Sequence, residues 1–269
     1  MKLHIAGIIV FVLAAGLVAR PAAADIITLA DGNSVLRFDT AAERLHYDWE
    51  IGGRDYLQQQ GFWYRIEGRP GGETPLYQLA TPTVFKMDSN TPKDGLDDYL
   101  RLTYAGTGLT IEVAYTLMDG GTRSDLSEGI RVTNTGSSPI VVHFFQYTDF
   151  DLAPPGGDTI EIRGGNTATQ TVAADLLSET GDSPAPDHFM AGLDGAILAL
   201  LRDSLPTTLD GTTGPLTGNA EWAFQWDLTL QPGAAIPIGK DKTLIVPEPA
   251  TLALLIGGLA VFLGLRRKQ

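Results

Sequence analysis

Apolar residues recur mostly at every second position of this chain, and the three-and-four spacing of a helix face is almost missing. A period of two sends alternate side chains to opposite faces of an extended strand. Residues 140–150, IVVHFFQYTDF, show it best. Val141, His143, Phe145, Tyr147 and Asp149 fall on one face, and Ile140, Val142, Phe144, Gln146 and Thr148 on the other. Both faces are largely apolar, which predicts a strand held between two layers. Residues 100–105 and 109–118 predict a strand pair joined at Gly106-Thr107-Gly108, because glycine permits the positive backbone angles of a tight turn. Residues 129–134 predict a strand that a Gly136-Ser137-Ser138-Pro139 turn leads into the 140–150 strand.

Further strands are predicted at 26–29, 34–39, 45–51, 63–66, 83–87, 159–163, 196–201, 221–230 and 242–246. Gly and Pro punctuate most of the gaps between them. Residues 169–177 are the one helix-like stretch, and 181–186 and 206–219 read as loops. No internal repeat is visible. Many short strands at this spacing predict an all-β fold, a large antiparallel β-sandwich.

The two ends break the pattern. Met1 to His4 carries a basic start, residues 5–18 are apolar, and Ala22-Ala23-Ala24 offers small residues for cleavage before Asp25. This is the layout of a signal peptide over residues 1–24, to be removed by signal peptidase. At the other end, residues 250–265 are sixteen residues without a charge. As a helix they would rise about 24 Å, short for a bilayer but able to span a thinned one. Arg266-Arg267-Lys268 would stay on the cytoplasmic side. The organisation predicted is an N-terminal signal helix, a β-sandwich body over 25–245 and a C-terminal transmembrane helix within 246–269.

Val246-Pro247-Glu248-Pro249, the apolar run and the Arg266-Arg267-Lys268 end occur in that order. Together they resemble the PEP-CTERM sorting signal of Gram-negative bacteria. The resemblance implies recognition and removal of the tail by exosortase, a membrane-embedded protease. It also implies transient anchoring in the inner membrane, then delivery to the cell surface or an exopolysaccharide matrix. The tail is then an address and carries no chemistry of the body.

Charge and cysteine usage narrow the body's partners. The chain has 32 acids and 19 bases. Setting aside both ends removes five bases and one acid, leaving 14 bases and 31 acids, a formal charge of −17. Such a body repels nucleic acid and anionic membrane surfaces. No cysteine is present, which excludes a thiol nucleophile, a zinc–thiolate site and an iron–sulfur cluster. A body of about 220 residues is large enough to hold a core without disulfides.

Candidate chemistry is sparse. The chain has no Gly-x-Ser-x-Gly elbow, no Walker loop, no dinucleotide fingerprint and no His-Glu-x-x-His. His143 sits among apolar residues, as a core histidine or as an acid–base or glycan-contacting group beside Asp149 or Glu112. Asp149, Asp151 and Asp158 bracket a Pro/Gly-rich loop, and hard oxygen donors in that pattern can bind calcium. No other cofactor is expected. Asp94, Asp97 and Asp98 form a weaker acidic cluster. Trp222, Phe224 and Trp226 share one side of a strand, a pattern more typical of core than of a sugar platform.

Residues 130–136 with 139–142, and the late WDLTLQPG stretch, are similar to strand–turn–strand segments of galactose-mutarotase-like supersandwiches and of immunoglobulin-like domains. The resemblance implies architecture alone, because no matched catalytic set accompanies it. The expected function is that of an exported surface or matrix protein, structural, adhesive or glycan-contacting and without catalysis. The alternative is a carbohydrate-active enzyme on a supersandwich.

Overall fold

A computed structural model describes residues 26–152 and 157–246. The signal segment, the Pro247-Glu248-Pro249 motif and the apolar tail lie outside the described residues. Among those described, no helix is long and apolar enough to cross a membrane.

The strands are β1 (Ile26–Asp31), β2 (Ser34–Asp39), β3 (His46–Ile51), β4 (Arg54–Asp55), β5 (Leu57–Ile66), β6 (Thr74–Pro75), β7 (Thr83–Met87), β8 (Tyr99–Gly106) and β9 (Leu109–Asp119). They continue as β10 (Arg123–Asn134), β11 (Ile140–Phe150), β12 (Asp158–Arg163), β13 (Thr167–Val172), β14 (Asp175–Ser183), β15 (His188–Leu193), β16 (Leu216–Gly218), β17 (Ala220–Leu230) and β18 (Ala235–Ile245). One helix, α1 (Ala196–Arg202), follows β15. The first sheet runs β1-β2-β3-β5-β11-β17-β15, with β4 beside β3 and β6 beside β5. The second runs β16-β12-β13-β14-β18-β10-β9-β8-β7. Every strand pair is antiparallel. The fold is therefore an all-β, two-sheet antiparallel sandwich.

The alternating pattern explains the core. From β11, Val142, Phe144 and Phe150 point between the sheets. From β17, Trp222, Phe224 and Trp226 do the same, all fully buried. The aromatic trio is thus core. Trp222 stacks on Phe150 with ring centroids 6.1 Å apart and 11° between planes, and Phe62 stacks on Phe144 at 5.5 Å. The opposite face of β11 is also apolar but meets no sheet. Phe145 and Tyr147 pack with Trp63 and Ala223 under Ile197, Leu201 and Leu209, from α1 and the segment after it.

Two local expectations fail. Residues 169–177 are the end of β13, a turn and the start of β14, because Thr169, Thr171 and Val172 are β-branched and Ala168 and Gln170 bury in alternation. Ala173, with φ of 50°, makes the turn between them. Residues 196–201, predicted as a strand, are α1. The run AILALL is rich in strong helix formers, and Ile197 and Leu201, four apart, form its buried face. Within the predicted 206–219 loop, Leu216–Gly218 pairs with β12 as β16.

The core also contains a fully buried charge network. Lys240 and Lys242 of β18, Glu128 of β10 and Glu179 of β14 have wholly inaccessible side chains. Lys240 Nζ lies 2.8 Å from Glu128 Oε2 and 2.7 Å from Glu179 Oε1. Lys242 Nζ lies 2.6 Å from Glu128 Oε1 and 3.6 Å from Glu179 Oε1. The first sheet completes the set. Gln60 Nε2 donates to Glu128 Oε1 at 2.8 Å, and Trp222 Nε1 and Gln146 Nε2 donate to Glu179 Oε2 at 2.9 and 3.1 Å. Two positive and two negative groups balance, and each carboxylate receives further hydrogen bonds, which is what buried ions require. Burial opposes ionisation of Glu128, but the two ammoniums outweigh it and hold its carboxyl well below the usual range. Burial alone dominates at His46, whose pKa drops to about 3 with Lys242 adding to the fall.

Candidate functional site

The outer face of the first sheet is where polar groups converge. Pairing across β5, β11 and β17 sets Arg65, His143 and Asp227 in one row. Two residues along, Trp63, Phe145 and Gln225 form the next row, and His188 of β15 extends it. A third row, Gln59, Asp149 and Glu221, lies towards the other end of the strands. The apolar middle is capped by α1 and Leu209, so polar groups occupy the two ends of this face.

At the first end, three donors meet on Asp227. His143 Nδ1 lies 2.7 Å from Oδ1, His188 Nε2 lies 3.2 Å from Oδ2, and Gln225 Nε2 donates to Oδ1 at 2.8 Å. Burial pushes the Asp227 carboxyl up, but the bonds from Gln225 and His143 and the nearby imidazoles win, so its pKa falls below the ordinary value. An ionised Asp227 is acceptor-only, so His143 Nδ1 and His188 Nε2 each carry the hydrogen that faces it. The side chains of His143, Asp227 and His188 are 15, 31 and 37% exposed, enough to meet a ligand. The Leu209 N–H donates to Gln225 Oε1 at 3.0 Å and ties the covering segment to this end. Arg65 is held by Glu73 at 3.1 Å and borders a cavity of about 100 Å³ lined also by Tyr64, Arg69 and Thr74.

At the other end, Tyr147 donates its hydroxyl to Glu221 Oε2 at 2.6 Å and lies 3.3 Å from Asp149 Oδ2. Glu221 Oε1 accepts the Ile197 N–H at 2.7 Å. Gly192 permits this approach: a Cβ there would lie 2.9 Å from Ile197 and 3.0 Å from Glu221. Burial, then repulsion by Asp151 and Glu221, pushes the Asp149 carboxyl up to about 7 from 3.8. Folded Asp149 therefore holds its proton more tightly than the unfolded chain does. The stability it contributes is present in full below pH 3.8 and is lost as pH rises towards 7. Asp149→Asn should accordingly stabilise the body by about 1–2 kcal/mol at pH 8 and by little at pH 4. Urea melts at the two pH values check this; an equal effect at both would refute it.

The sequence candidates divide on this frame. His143 is on the outer face, but its carboxylate partner is Asp227. Asp149 lies six residues away along β11, and Glu112 is on β9 of the other sheet, 3.3 Å from the Thr103 hydroxyl. The proposed calcium acids face different partners. Asp151 accepts from Gln58 at 2.7 Å, Asp158 accepts the Leu152 N–H at 3.0 Å and Gln170 at 2.7 Å, and Asp149 meets Tyr147. Among the described residues, no group of three or more such side chains could hold a metal ion, so the geometry adds nothing to the calcium expectation. In the weaker acidic cluster, Asp98 accepts from Ser89 and Asp97 pairs with Lys86. Asp227, Gln225, Arg65 and His188 were not foreseen as a set. One signal was present: if Trp222, Phe224 and Trp226 face the core, Glu221, Gln225 and Asp227 must face away.

No family model matches the sequence, and no curated protein does. Solved structures do match in shape. A galactose mutarotase related enzyme from Lactobacillus acidophilus aligns with TM-score 0.53 and 9% identity over 82% of this chain and 97% of that one. The Slr1438 protein from Synechocystis sp. PCC 6803 aligns with TM-score 0.58 and 9% identity over 84% and 98%. A bacterial glucoamylase complexed with acarbose aligns with TM-score 0.56 and 8% identity over 86% of this chain, which spans 35% of that enzyme. The sandwich is thus structurally similar to galactose mutarotase-like supersandwich proteins. At these identities the likeness concerns the fold alone.

Proposed function

We propose that this chain is an exported protein of the cell surface or extracellular matrix, and that its sandwich binds polysaccharide at the His143–Asp227–His188 cluster without transforming it. The observation that carries the reading is Asp227, an ionised and partly open carboxylate between two imidazoles. With three of its roughly four acceptor positions filled, it retains one for a sugar hydroxyl. Both imidazoles serve the same carboxylate, so no acid faces a base across a reacting atom. Export, and release of the tail by exosortase, rest on the sequence of the two ends. The mutarotase related enzyme and the glucoamylase among the fold's likenesses are the ground for choosing carbohydrate as the ligand class.

A second reading, a carbohydrate-active enzyme, is favoured by Asp149, a carboxyl that titrates near neutrality beside Glu221. Against it, Glu221 is 1% exposed under α1. One experiment addresses both. Protein recovered from surface material is mapped for loss of residues beyond Val246, then titrated with fragments of the producing cell's exopolysaccharide and incubated with free aldoses under polarimetry. Binding that weakens about tenfold in Asp227→Ala, the worth of one charge-assisted hydrogen bond, is the expected result. Binding indifferent to Asp227 overturns the proposal. Turnover that vanishes in Asp149→Asn would install the enzyme in its place.

A further inference from the structure

Lys242, Gln60 and Glu128 form a closed triangle between the two sheets. Lys242 Nζ donates to Gln60 Oε1, Lys242 Nζ donates to Glu128 Oε1 at 2.6 Å, and Gln60 Nε2 donates to the same Glu128 oxygen at 2.8 Å. An amine, a carboxamide and a carboxylate that touches both nitrogens are the components of an amide exchange. We propose that the folded chain joins Lys242 Nζ to Gln60 Cδ in an intramolecular isopeptide bond, with Glu128 as the catalytic proton carrier and ammonia as the product.

The atoms balance without a co-reactant. The Lys242 ammonium gives one proton to Glu128 Oε1. Its neutral nitrogen attacks Gln60 Cδ and forms the Nζ–Cδ bond. A second proton moves from Nζ through Glu128 to Nε2, the Cδ–Nε2 bond breaks, and Nε2 leaves as ammonia. Nζ keeps one hydrogen in the new amide, and Glu128 keeps the first proton. The cluster begins with Lys240 and Lys242 positive and Glu128 and Glu179 negative. It ends with Lys240 positive and Glu179 negative, neutral both times, so no unbalanced charge is left in the core.

The surroundings favour each step. Lys242 is pulled below the ordinary lysine value chiefly by burial, which its carboxylate neighbours only partly offset, so its neutral form is accessible. Lys240 is raised, because Glu128 and Glu179 outweigh its burial, and it can remain the cation. Gln60 is wholly inaccessible to solvent, as is the Lys242 side chain, so water does not compete for the carboxamide. Fixing the reactants in contact supplies the effective concentration that aminolysis of an amide otherwise lacks. Gln60 belongs to β5 and Lys242 to β18, so the bond would tie one sheet to the other in a chain with no cysteine to do so.

Peptide mapping of the purified full chain tests this. The expected result is a joined pair of peptides carrying Gln60 and Lys242, lighter by about 17 Da than their sum because a modified lysine side chain has replaced the amide nitrogen. Trypsin should then fail to cut after Lys242. Glu128→Gln and Lys242→Arg should each abolish the pair. Wild-type protein that is folded by near-ultraviolet circular dichroism, yet after prolonged warming still yields free peptides ending at Lys242, overturns the proposal whether or not the variants fold. A mass loss that maps to asparagine residues overturns it equally. A pair that persists in Glu128→Gln refutes the proton-carrier role.

Discussion

Replacing Glu179 by glutamine is expected to lower the stability of the folded body by about 3–5 kcal/mol, the range for breaking a buried ion pair. Glu179 lies 2.7 Å from Lys240 and 3.6 Å from Lys242, and all three side chains are inaccessible to water. Removing its charge leaves the two ammoniums of the unjoined chain to share Glu128, and leaves Lys240 of the joined chain with no carboxylate partner. The volume is nearly kept, but one of the two oxygens becomes an NH2, so either Trp222 Nε1 and Gln146 Nε2, which share Oε2, or the two lysines, which share Oε1, face a donor in place of an acceptor. The cost is that of an uncompensated buried charge and not the net worth of the pair. Urea unfolding should show a lower midpoint with an unchanged slope. A shift below about 1 kcal/mol would mean that water reaches the network in the folded state.

Trp222→Ala should cost as much or more, about 3–5 kcal/mol for the lost ring and its cavity. The indole lies flat against Phe150, spans the space between the sheets and ends in a hydrogen bond to Glu179. Trp222→Phe separates these effects, since it keeps most of the apolar contact and removes only the N–H. It should cost about 1–3 kcal/mol, the desolvation penalty of an acceptor deprived of its donor. The effects of Trp222→Phe and Glu179→Gln should not add, because each removes one side of the same bond; a coupling of about 0.5–3 kcal/mol is expected. Independent effects would show that the indole bond contributes nothing in solution.

The architecture was readable because alternation is a local property. β9, β10, β11 and β17 each carry a period of two over ten or more residues, and short turns give the pairing of β8, β9 and β10, whereas β11 and β17 find their partners at long range. The stretch 169–177 misled because Thr, Ala and Leu at mixed spacing satisfy a helix and a strand alike, and the choice belongs to the neighbours β12 and β18. Residues 196–201 misled in reverse: an unbroken apolar run shows no period, although its Ala and Leu favour a helix whose Ile197 and Leu201 face seats on Phe145 and Tyr147. The outer-face row was half legible. His143 stood out by its apolar neighbours, whereas its partner Asp227 comes from a strand 84 residues later in the chain. The buried charges were missed for a related reason. Ile238, Lys240, Lys242 and Leu244 share one face, but two lysines in such a strand normally signal solvent, and their counter-charges come from β10 and β14.

The position of β18 governs the order in which the sandwich can assemble. It is the last described strand, yet it lies in the middle of the second sheet, between β14 and β10. Without it that sheet is two separate four-stranded pieces, β16-β12-β13-β14 and β10-β9-β8-β7. Pairings of such long sequence separation close late and slowly. If the chain is exported from its N-terminus, as proposed, the sheet stays open until residues 235–245 have emerged. Trimming that reached into those residues would expose two long strand edges at once, each a template for another chain.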